Sequence, residues 1–204
     1  MNNNKLLKLA LVAACALASG ATMAQGVQDA NGPWLVRARA VNLGSANKDS
    51  TGLGLSINDK VIPEVDVSYF FTKNIAAELV LTVPQKHDVR ASTLGGKIGT
   101  LKHLPPSLLL QYHFDAPGFK PYVGAGLNYT RFSSVHLPAG VGIDKSSWGA
   151  ALQAGVDIPL SRNLYLNVDV KKVYIQTDVF AGGVKAGTFK VDPVLFGIGL
   201  GYRF

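Results

Sequence analysis

The chain has 204 residues, of which 48% are hydrophobic, 16% are charged and 22 are glycine, and its formal net charge is +7. This length favours one domain, and the scattered rather than clustered basic residues argue against nucleic-acid binding. After the first 24 residues no apolar run approaches the ~20 residues that a membrane-spanning helix needs. A membrane protein without such helices has to close its backbone hydrogen bonds in a barrel.

Residues 1–24 have the pattern of a secretory leader that is removed from the mature protein. Lys5 and Lys8 form its positive start, an apolar stretch follows, and Ala24 completes a small-residue cleavage site. Cys15 loosely matches the lipidation site of a lipoprotein, but the apolar stretch before it is short for that role. If the leader is removed after Ala24, the mature chain has no cysteine and therefore no disulfide.

The remaining residues, 25–204, contain eight segments in which the residue character alternates with a period of two, the signal of a strand with two different faces. Short and long connections between these segments alternate. This is typical of an up-and-down barrel with short periplasmic turns, long outer loops and both termini on the periplasmic side. We therefore predict an all-β fold, an eight-stranded antiparallel transmembrane β-barrel. The predicted strands are 34–44, 61–72, 74–84, 105–115, 119–132, 147–159, 163–175 and 190–204, and the predicted outer loops are 45–60, 85–104, 133–146 and 176–189.

The last segment, 190–204, shows the two faces most clearly. One face is apolar throughout, and the other is mostly glycine. Such a strand suits a wall with lipid on one side and a crowded lumen on the other. A terminal aromatic residue with apolar residues two and four positions before it resembles the signal that outer-membrane barrels present to the barrel-assembly machinery. The predicted assembly signal is Leu200, Tyr202 and Phe204.

Aromatic residues on the predicted lipid face fall into two belts, as a spanning barrel requires. The periplasmic belt is Trp34, Phe71, Phe114, Tyr202 and Phe204, and the outer belt is Tyr129, Trp148 and Tyr174. The sequence therefore predicts a location in the outer membrane of a bacterium. The expected partners are outer-membrane lipid and the lipopolysaccharide whose phosphates basic residues of the outer loops could meet.

The predicted lumen has a charged level and an apolar level. The charged level is expected to be a paired network that plugs the lumen, because an unpaired buried charge is costly. Its predicted members are Arg37, Arg39, Glu78, Asp157, Asp169 and Arg203. The predicted apolar level is Val41, Leu43, Ile62, Val80, Leu109, Phe132, Val173 and Leu195. Since eight strands enclose room for side chains or one small ligand, this level is either simple packing or an apolar cup that opens outward.

Five prolines fall at the predicted outer ends of strands. They are Pro63, Pro84, Pro105, Pro106 and Pro193. Proline cannot donate to the ladder of a sheet, so each one could weaken wall pairing near the outer rim. Most simply, the strands end there. A cup that is closed below would however need a sideways exit, and missing ladder bonds mark where such an exit could open.

Several stretches of the chain resemble the OmpW family of small outer-membrane proteins. The most specific are Ile-Gly-Thr-Leu-Lys-His-Leu-Pro-Pro-Ser at 98–107 and the final Gly-Leu-Gly-Tyr-Arg-Phe. Shorter matches begin at Gly32, Asp66, Pro121 and Val191, so the resemblance covers essentially the whole mature chain. It implies an eight-stranded barrel with a hydrophobic lumen that passes small hydrophobic molecules inward, with a lateral exit into the membrane. It also implies a related branch that assists alkane uptake, and members that serve as bacteriocin receptors.

The histidines do not indicate catalysis or metal binding. His87, His103 and His136 fall in or beside the predicted outer loops, and His113 faces inward, where we expect it to join the charged network. No serine–histidine–acid set and no metal-ligand spacing is evident, so we expect no enzyme activity, no cofactor and no metal, and a monomer. Two functions remain: passive uptake of small hydrophobic ligands, or a plugged structural or receptor barrel that acts through its outer loops.

Overall fold

The structure is a computed structural model that describes residues 32–204, and it consists almost entirely of β-strands. The predicted leader and Cys15 lie outside the described residues. In chain order the strands are β1 (Trp34–Gly44), β2 (Lys48–Asp49), β3 (Leu55–Ile57), β4 (Lys60–Phe70), β5 (Ile75–Thr82), β6 (Gln85–Ala91), β7 (Gly96–Leu104), β8 (Ser107–His113), β9 (Lys120–His136), β10 (Val141–Ile143), β11 (Ser146–Pro159), β12 (Leu164–Val173), β13 (Gln176–Ala181), β14 (Val184–Lys190) and β15 (Val194–Arg203). A single 3₁₀ turn, Ser92–Leu94, joins β6 to β7 within this range. No helix among the described residues is long and apolar enough to cross a membrane.

Eight of these strands close into an antiparallel barrel, which confirms the predicted fold. Their order around the wall is β1, β4, β5, β8, β9, β11, β12 and β15, and β15 pairs with β1 again. The backbones of Trp34 and Phe204 exchange two hydrogen bonds, of 3.0 and 2.8 Å, at the end of the closing pair. Each of the eight strands therefore pairs with a neighbour on both sides, which is the condition for a β-structure in lipid.

The two faces of the wall follow the alternation of the sequence. The outward face of β8 carries Leu108 and Leu110, 59% and 60% exposed, while the inward Leu109 is 1% exposed. Outward aromatic rings cluster at both ends of the barrel. The rings of Trp34 and Tyr69 pack 4.8 Å apart at the end that holds Gly32 and Phe204, which we call the terminal end, and those of Tyr129 and Trp148 pack 4.8 Å apart toward the opposite end. An apolar band between two aromatic clusters is the outer surface of a membrane-spanning barrel.

The four predicted outer loops are the main error in the predicted fold, because they form strands. We call β2, β3, β6, β7, β10, β13 and β14 the extension. It continues the barrel beyond the end that lies opposite Phe204. Strand β7 pairs with the second half of β9, β6 pairs with β7, and β3 pairs with β6. Strands β10, β13, β14 and β2 form a separate four-stranded sheet. These strands are short and rich in polar residues, so their alternation was not recognised.

Candidate functional site

The lumen toward the terminal end is filled by buried ion pairs. Arg37 makes a two-pronged contact with Asp157, in which Nε and Nη2 donate to the two carboxylate oxygens at 3.1 and 2.7 Å. Its Nη1 donates to Asp66 at 3.0 Å. Both charged ends are at most 3% exposed. The planar guanidinium fits carboxylate oxygens in this way, and the bonds offset part of the cost of burying the charges.

Arg39 and Lys171 extend the ion pairs toward the middle of the barrel. Arg39 contacts Glu64 at 3.0 Å and Glu78 at 3.1 Å, and it shares Asp66 with Arg37. Lys171 donates to Glu64 at 2.8 Å and to Asp169 at 2.9 Å. Five carboxylates therefore surround three cations in one connected network.

Uncharged polar side chains join this network to the remaining wall strands. Tyr122 donates to Asp169 at 3.0 Å, Asn167 donates to Asp157 at 2.8 Å, and Gln153 donates to Asp169 at 2.8 Å. Gln111 of β8 donates to Gln153 at 2.9 Å. Strands β1, β4, β5, β8, β9, β11 and β12 thus each contribute a polar side chain to the network. We define the ion-pair network by its members, which are Arg37, Arg39, Glu64, Asp66, Glu78, Gln111, Tyr122, Gln153, Asp157, Asn167 and Asp169, with Lys171 at its edge toward the extension.

Several of these members were not among the predicted charged set. The charged level predicted from the sequence did not include Glu64, Asp66, Tyr122, Gln153 or Asn167. Each lies on the inward face by simple alternation with outward apolar neighbours. That alternation is the signal that could have found them.

Arg203 and His113 lie at the terminal end of the lumen. The guanidinium carbon of Arg203 is 4.0 Å from the centre of the Phe70 ring, and its Nε donates to the carbonyl of Gly32 at 2.9 Å. His113 stacks on Tyr122, with ring centres 4.9 Å apart, and its Nε2 lies 3.0 Å from Gln111 Oε1. Aromatic packing therefore accompanies the charges at this end.

The glycine face of β15 is explained by the arginines opposite it. A Cβ atom on Gly201 would lie 3.1 Å from Cγ of Arg37, and one on Gly197 would lie 3.3 Å from Cδ of Arg39. Side chains there would compete with the arginine stems for the same space. The glycines on the inward face of β15 therefore leave room for the network.

The eight residues predicted for the apolar level are all at most 6% exposed and belong to one hydrophobic cluster. The outward-open cup is not present, however. Inward residues of the extension, including Leu55, Val89, Leu101 and Phe189, belong to the same cluster. Because the segments predicted as loops are strands, their apolar faces cover the cup.

A small cavity remains in this cluster, next to the ion-pair network. Its volume is about 20 Å³, room for little more than one water molecule. Lys171 and Glu64 line it on the network side, and Thr82, His103 and Ser107 add polar atoms to an otherwise apolar lining. The other lining residues are Leu43, Ile62, Val80, Pro105, Val173, Ile175, Pro193 and Leu195.

The wall beside this cavity has an interruption between β5 and β8, which we call the seam. Pairing of β5 with β8 ends at Val80 and Ser107, and pairing resumes between β6 and β7 at Gln85 and His103. The intervening residues, 81–84 and 104–106, include three prolines. Prolines have no N–H to donate, so they cannot complete the ladder across the seam.

The segment 104–106, which forms one side of the seam, is held firmly by β9. The side-chain amide of Asn128 donates to the carbonyls of Pro105 and Pro106, at 3.2 and 3.0 Å, and the Tyr129 N–H donates to Pro106 at 3.0 Å. Pro105 and Pro106 therefore stay attached to β9. Within residues 32–204, no three His, Cys, Asp or Glu side chains come together to hold a metal ion.

Comparisons with known proteins agree with this architecture. The chain is 41% identical over 194 residues to the uncharacterized outer-membrane protein y4mB of Sinorhizobium fredii, covering 88% of this chain and 83% of that protein. It is 32% identical over 216 residues to outer membrane protein W of Escherichia coli, covering 98% and 100%. It is also 30% identical over 146 residues to PahQ of Pseudomonas aeruginosa, a dibenzothiophene metabolism operon protein, covering 68% and 69%.

The fold has close structural relatives as well. The crystal structure of the outer membrane protein OprG from Pseudomonas aeruginosa matches with a TM-score of 0.74 at 27% identity, covering 89% of this chain and 99% of that one. The family model described as "OmpW family" matches residues 31–204. The chain belongs to the OmpW family of outer-membrane β-barrel proteins.

Proposed function

We propose that this barrel takes up small hydrophobic molecules passively across the outer membrane and releases them sideways through the seam. The observation that carries the proposal is an apolar cluster that ends on a buried ion-pair network and lies beside an interruption of the wall. Transfer of an apolar molecule through the network would require breaking buried ion pairs, which is costly. The seam offers a route that leaves those pairs intact.

The resting conformation is closed, so uptake requires the extension to move. The cavity of about 20 Å³ is far below the several hundred Å³ of a typical ligand site. Leucine, isoleucine and valine side chains of the cluster would have to separate from the inward faces of β3, β6 and β14. A relative named for a dibenzothiophene metabolism operon supports an apolar cargo.

In this proposal the extension faces the outside of the cell and both termini face the periplasm. Lys86 and Lys102 are directly opposite each other on β6 and β7, and Arg131 lies diagonally across on β9, two residues beyond the aromatic Tyr129. Cations just beyond an aromatic belt are placed to meet phosphate groups of lipopolysaccharide. This arrangement supports the orientation.

The test is uptake by cells that lack their own relatives of this protein. Leu109→Asp or Leu195→Asp places a charge in the apolar cluster, and we expect either change to reduce accumulation of an apolar fluorescent probe to the level of cells without the barrel. Val184→Asp is the matched control, because Val184 is 71% exposed on the extension. Heat-dependent migration on gels identifies variants that remain folded. Unchanged uptake by a folded Leu109→Asp barrel would rule the proposal out.

A second function is favoured by the filled lumen itself: a receptor that acts through the extension. The extension presents one separate four-stranded sheet and three strands that continue the barrel sheet, rather than open loops. If the wild-type barrel accumulates no apolar probe beyond the empty-vector level, the receptor function would replace uptake, and the exposed extension residues would be the next to substitute.

A further inference from the structure

Two histidines of the extension form a buried pair that the ion-pair network does not use. His87 on β6 and His103 on β7 stack with ring centres 4.7 Å apart and planes 8° from parallel. They are 0% and 1% exposed. The Nε2 atom of each ring is buried and has no hydrogen-bond partner among the described residues. Buried polar atoms without partners are uncommon and costly in folded proteins.

The protonation of the pair follows from its contacts. His87 Nδ1 lies 2.9 Å from the backbone carbonyl of Asn58, which can only accept, so Nδ1 carries the proton and Nε2 has a free lone pair. Burial, with a smaller contribution from the neighbouring His87, lowers the pKa of His103 to about 3. His103 is therefore neutral at pH 7 and presents no charge to the cavity.

The other polar side chains that line the cavity are already engaged. Lys171 is paired with Glu64 at 2.8 Å. The Thr82 hydroxyl donates to the Pro63 carbonyl at 2.8 Å, and the Ser107 hydroxyl accepts from Asn128 at 3.0 Å. His103 is thus the lining residue, within the described chain, that has a buried nitrogen left to bond.

We infer that His103, held in place by its stack on His87, selects among the molecules that enter this cavity by pairing with a single hydroxyl group on an otherwise apolar molecule, such as a phenol or an alcohol. A hydroxyl both donates and accepts, so it fits His103 Nε2 in either neutral tautomer. A hydrocarbon of the same shape leaves the nitrogen unpaired. A charged ligand would lose its hydration without meeting an opposite free charge. This inference rests on the proposed function, because it names the preferred cargo of the same cavity.

The test compares two probes that differ by one oxygen, naphthalene and 1-naphthol, in cells that lack their own relatives of this protein. Initial accumulation rates are measured for both, and the rates of empty-vector cells are subtracted. Pairing of a buried, otherwise unsatisfied nitrogen should favour 1-naphthol by roughly five- to a hundredfold in the wild type. His103→Phe keeps a flat ring on His87 but removes the nitrogen. We expect it to transport naphthalene as before and to lose the preference for 1-naphthol.

Two further variants separate selection from packing. His103→Gln offers a hydrogen-bonding group again and should recover part of the preference. His136→Phe is the matched control and should change nothing, because His136 is an exposed histidine on β9 whose ring contacts the Ser134 carbonyl at 2.9 Å.

The possible results are distinct. Equal wild-type rates for the two probes, or a preference that survives in His103→Phe, would overturn the selection by His103 while leaving hydrophobic uptake standing. If neither probe enters wild-type cells faster than vector cells, the proposed function fails, and the selection fails with it. A His103→Phe variant that does not fold leaves the wild-type ratio as the deciding measurement.

Discussion

Arg39 is the most connected cation of the ion-pair network, and its side chain is fully buried among Glu64, Asp66 and Glu78. Replacement by an apolar residue leaves these carboxylates buried without a cation. Loss of one partner from a buried ion pair typically costs about 3–5 kcal/mol. The network therefore stabilises the folded barrel, and it also bounds the apolar cluster on the side of the terminal end.

We predict that Arg39→Leu lowers the free energy of unfolding by about 3–5 kcal/mol. The measurement is urea unfolding of the barrel in lipid vesicles, followed by tryptophan fluorescence. Lys73→Ala is the control. The Lys73–Asp115 pair is 59% and 67% exposed, so its loss should cost less than about 1 kcal/mol. Equal effects of the two substitutions would contradict the importance of burial.

At the scale of the element, the contact between β1 and β15 depends on how closely the two backbones approach. A Cβ atom on Gly199 would lie 2.0 Å from the carbonyl oxygen of Ala38 and 2.7 Å from Cα of Arg39. Both neighbours are backbone atoms, which cannot rotate away. Gly44 belongs to the same strand pair, but a Cβ atom there would meet only the Val194 carbonyl oxygen, at 3.7 Å.

We predict that Gly199→Ala destabilises the barrel by at least about 1–3 kcal/mol, since it overpacks a fixed contact. Gly44→Ala should change stability by no more than about 0.5 kcal/mol. Unfolding in vesicles, measured as for Arg39→Leu, compares the two. A Gly199→Ala barrel as stable as Gly44→Ala would show that β15 can shift away from β1.

The extension is the element that sequence periodicity identified least well. Strand β6 alternates in burial, and its buried residues are Gln85, His87, Val89 and Ala91. Half of these residues are polar, so the period of two is not visible as apolar alternation. Pairing with β9 and coverage of the apolar cluster stabilise the strands instead.

At the scale of the whole molecule, Phe204 helps to close the barrel through its backbone, whereas its side chain is half exposed on the outer face. Phe204 exchanges backbone hydrogen bonds with Trp34, while its side chain is 47% exposed. The predicted assembly signal, formed with Leu200 and Tyr202, lies on the same lipid-facing side. Such a side chain contributes little to the interior.

We predict that Phe204→Ala lowers the amount of barrel in the outer membrane of cells several-fold but leaves refolding of the purified protein into vesicles nearly unchanged. Recognition by the assembly machinery would need the ring, whereas closure needs only the backbone. Phe114→Ala is the control, because Phe114 lies at the same end and is 46% exposed. A similar fall for both variants, or failure of Phe204→Ala to refold alone, would remove the assignment of an assembly signal.

The sequence by itself determined the barrel and the two faces of its wall. The alternation of apolar and small residues in the eight long segments is imposed by lipid on one side and a narrow lumen on the other. Because this environment is the same along every spanning strand, local pattern is sufficient to predict strand number, order and the inward direction of residues such as Arg37 and Leu109.

Only the tertiary structure decided which inward groups meet and how much space remains. The partners of Arg37, Asp66 on the neighbouring strand and Asp157 far along the chain, depend on how the strands are staggered around the closed wall. The covering of the cup by the extension, and the stacking of His87 on His103, depend on pairing between strands whose own sequences are mostly polar. Such contacts are set by the closure of the whole barrel, which no single segment encodes.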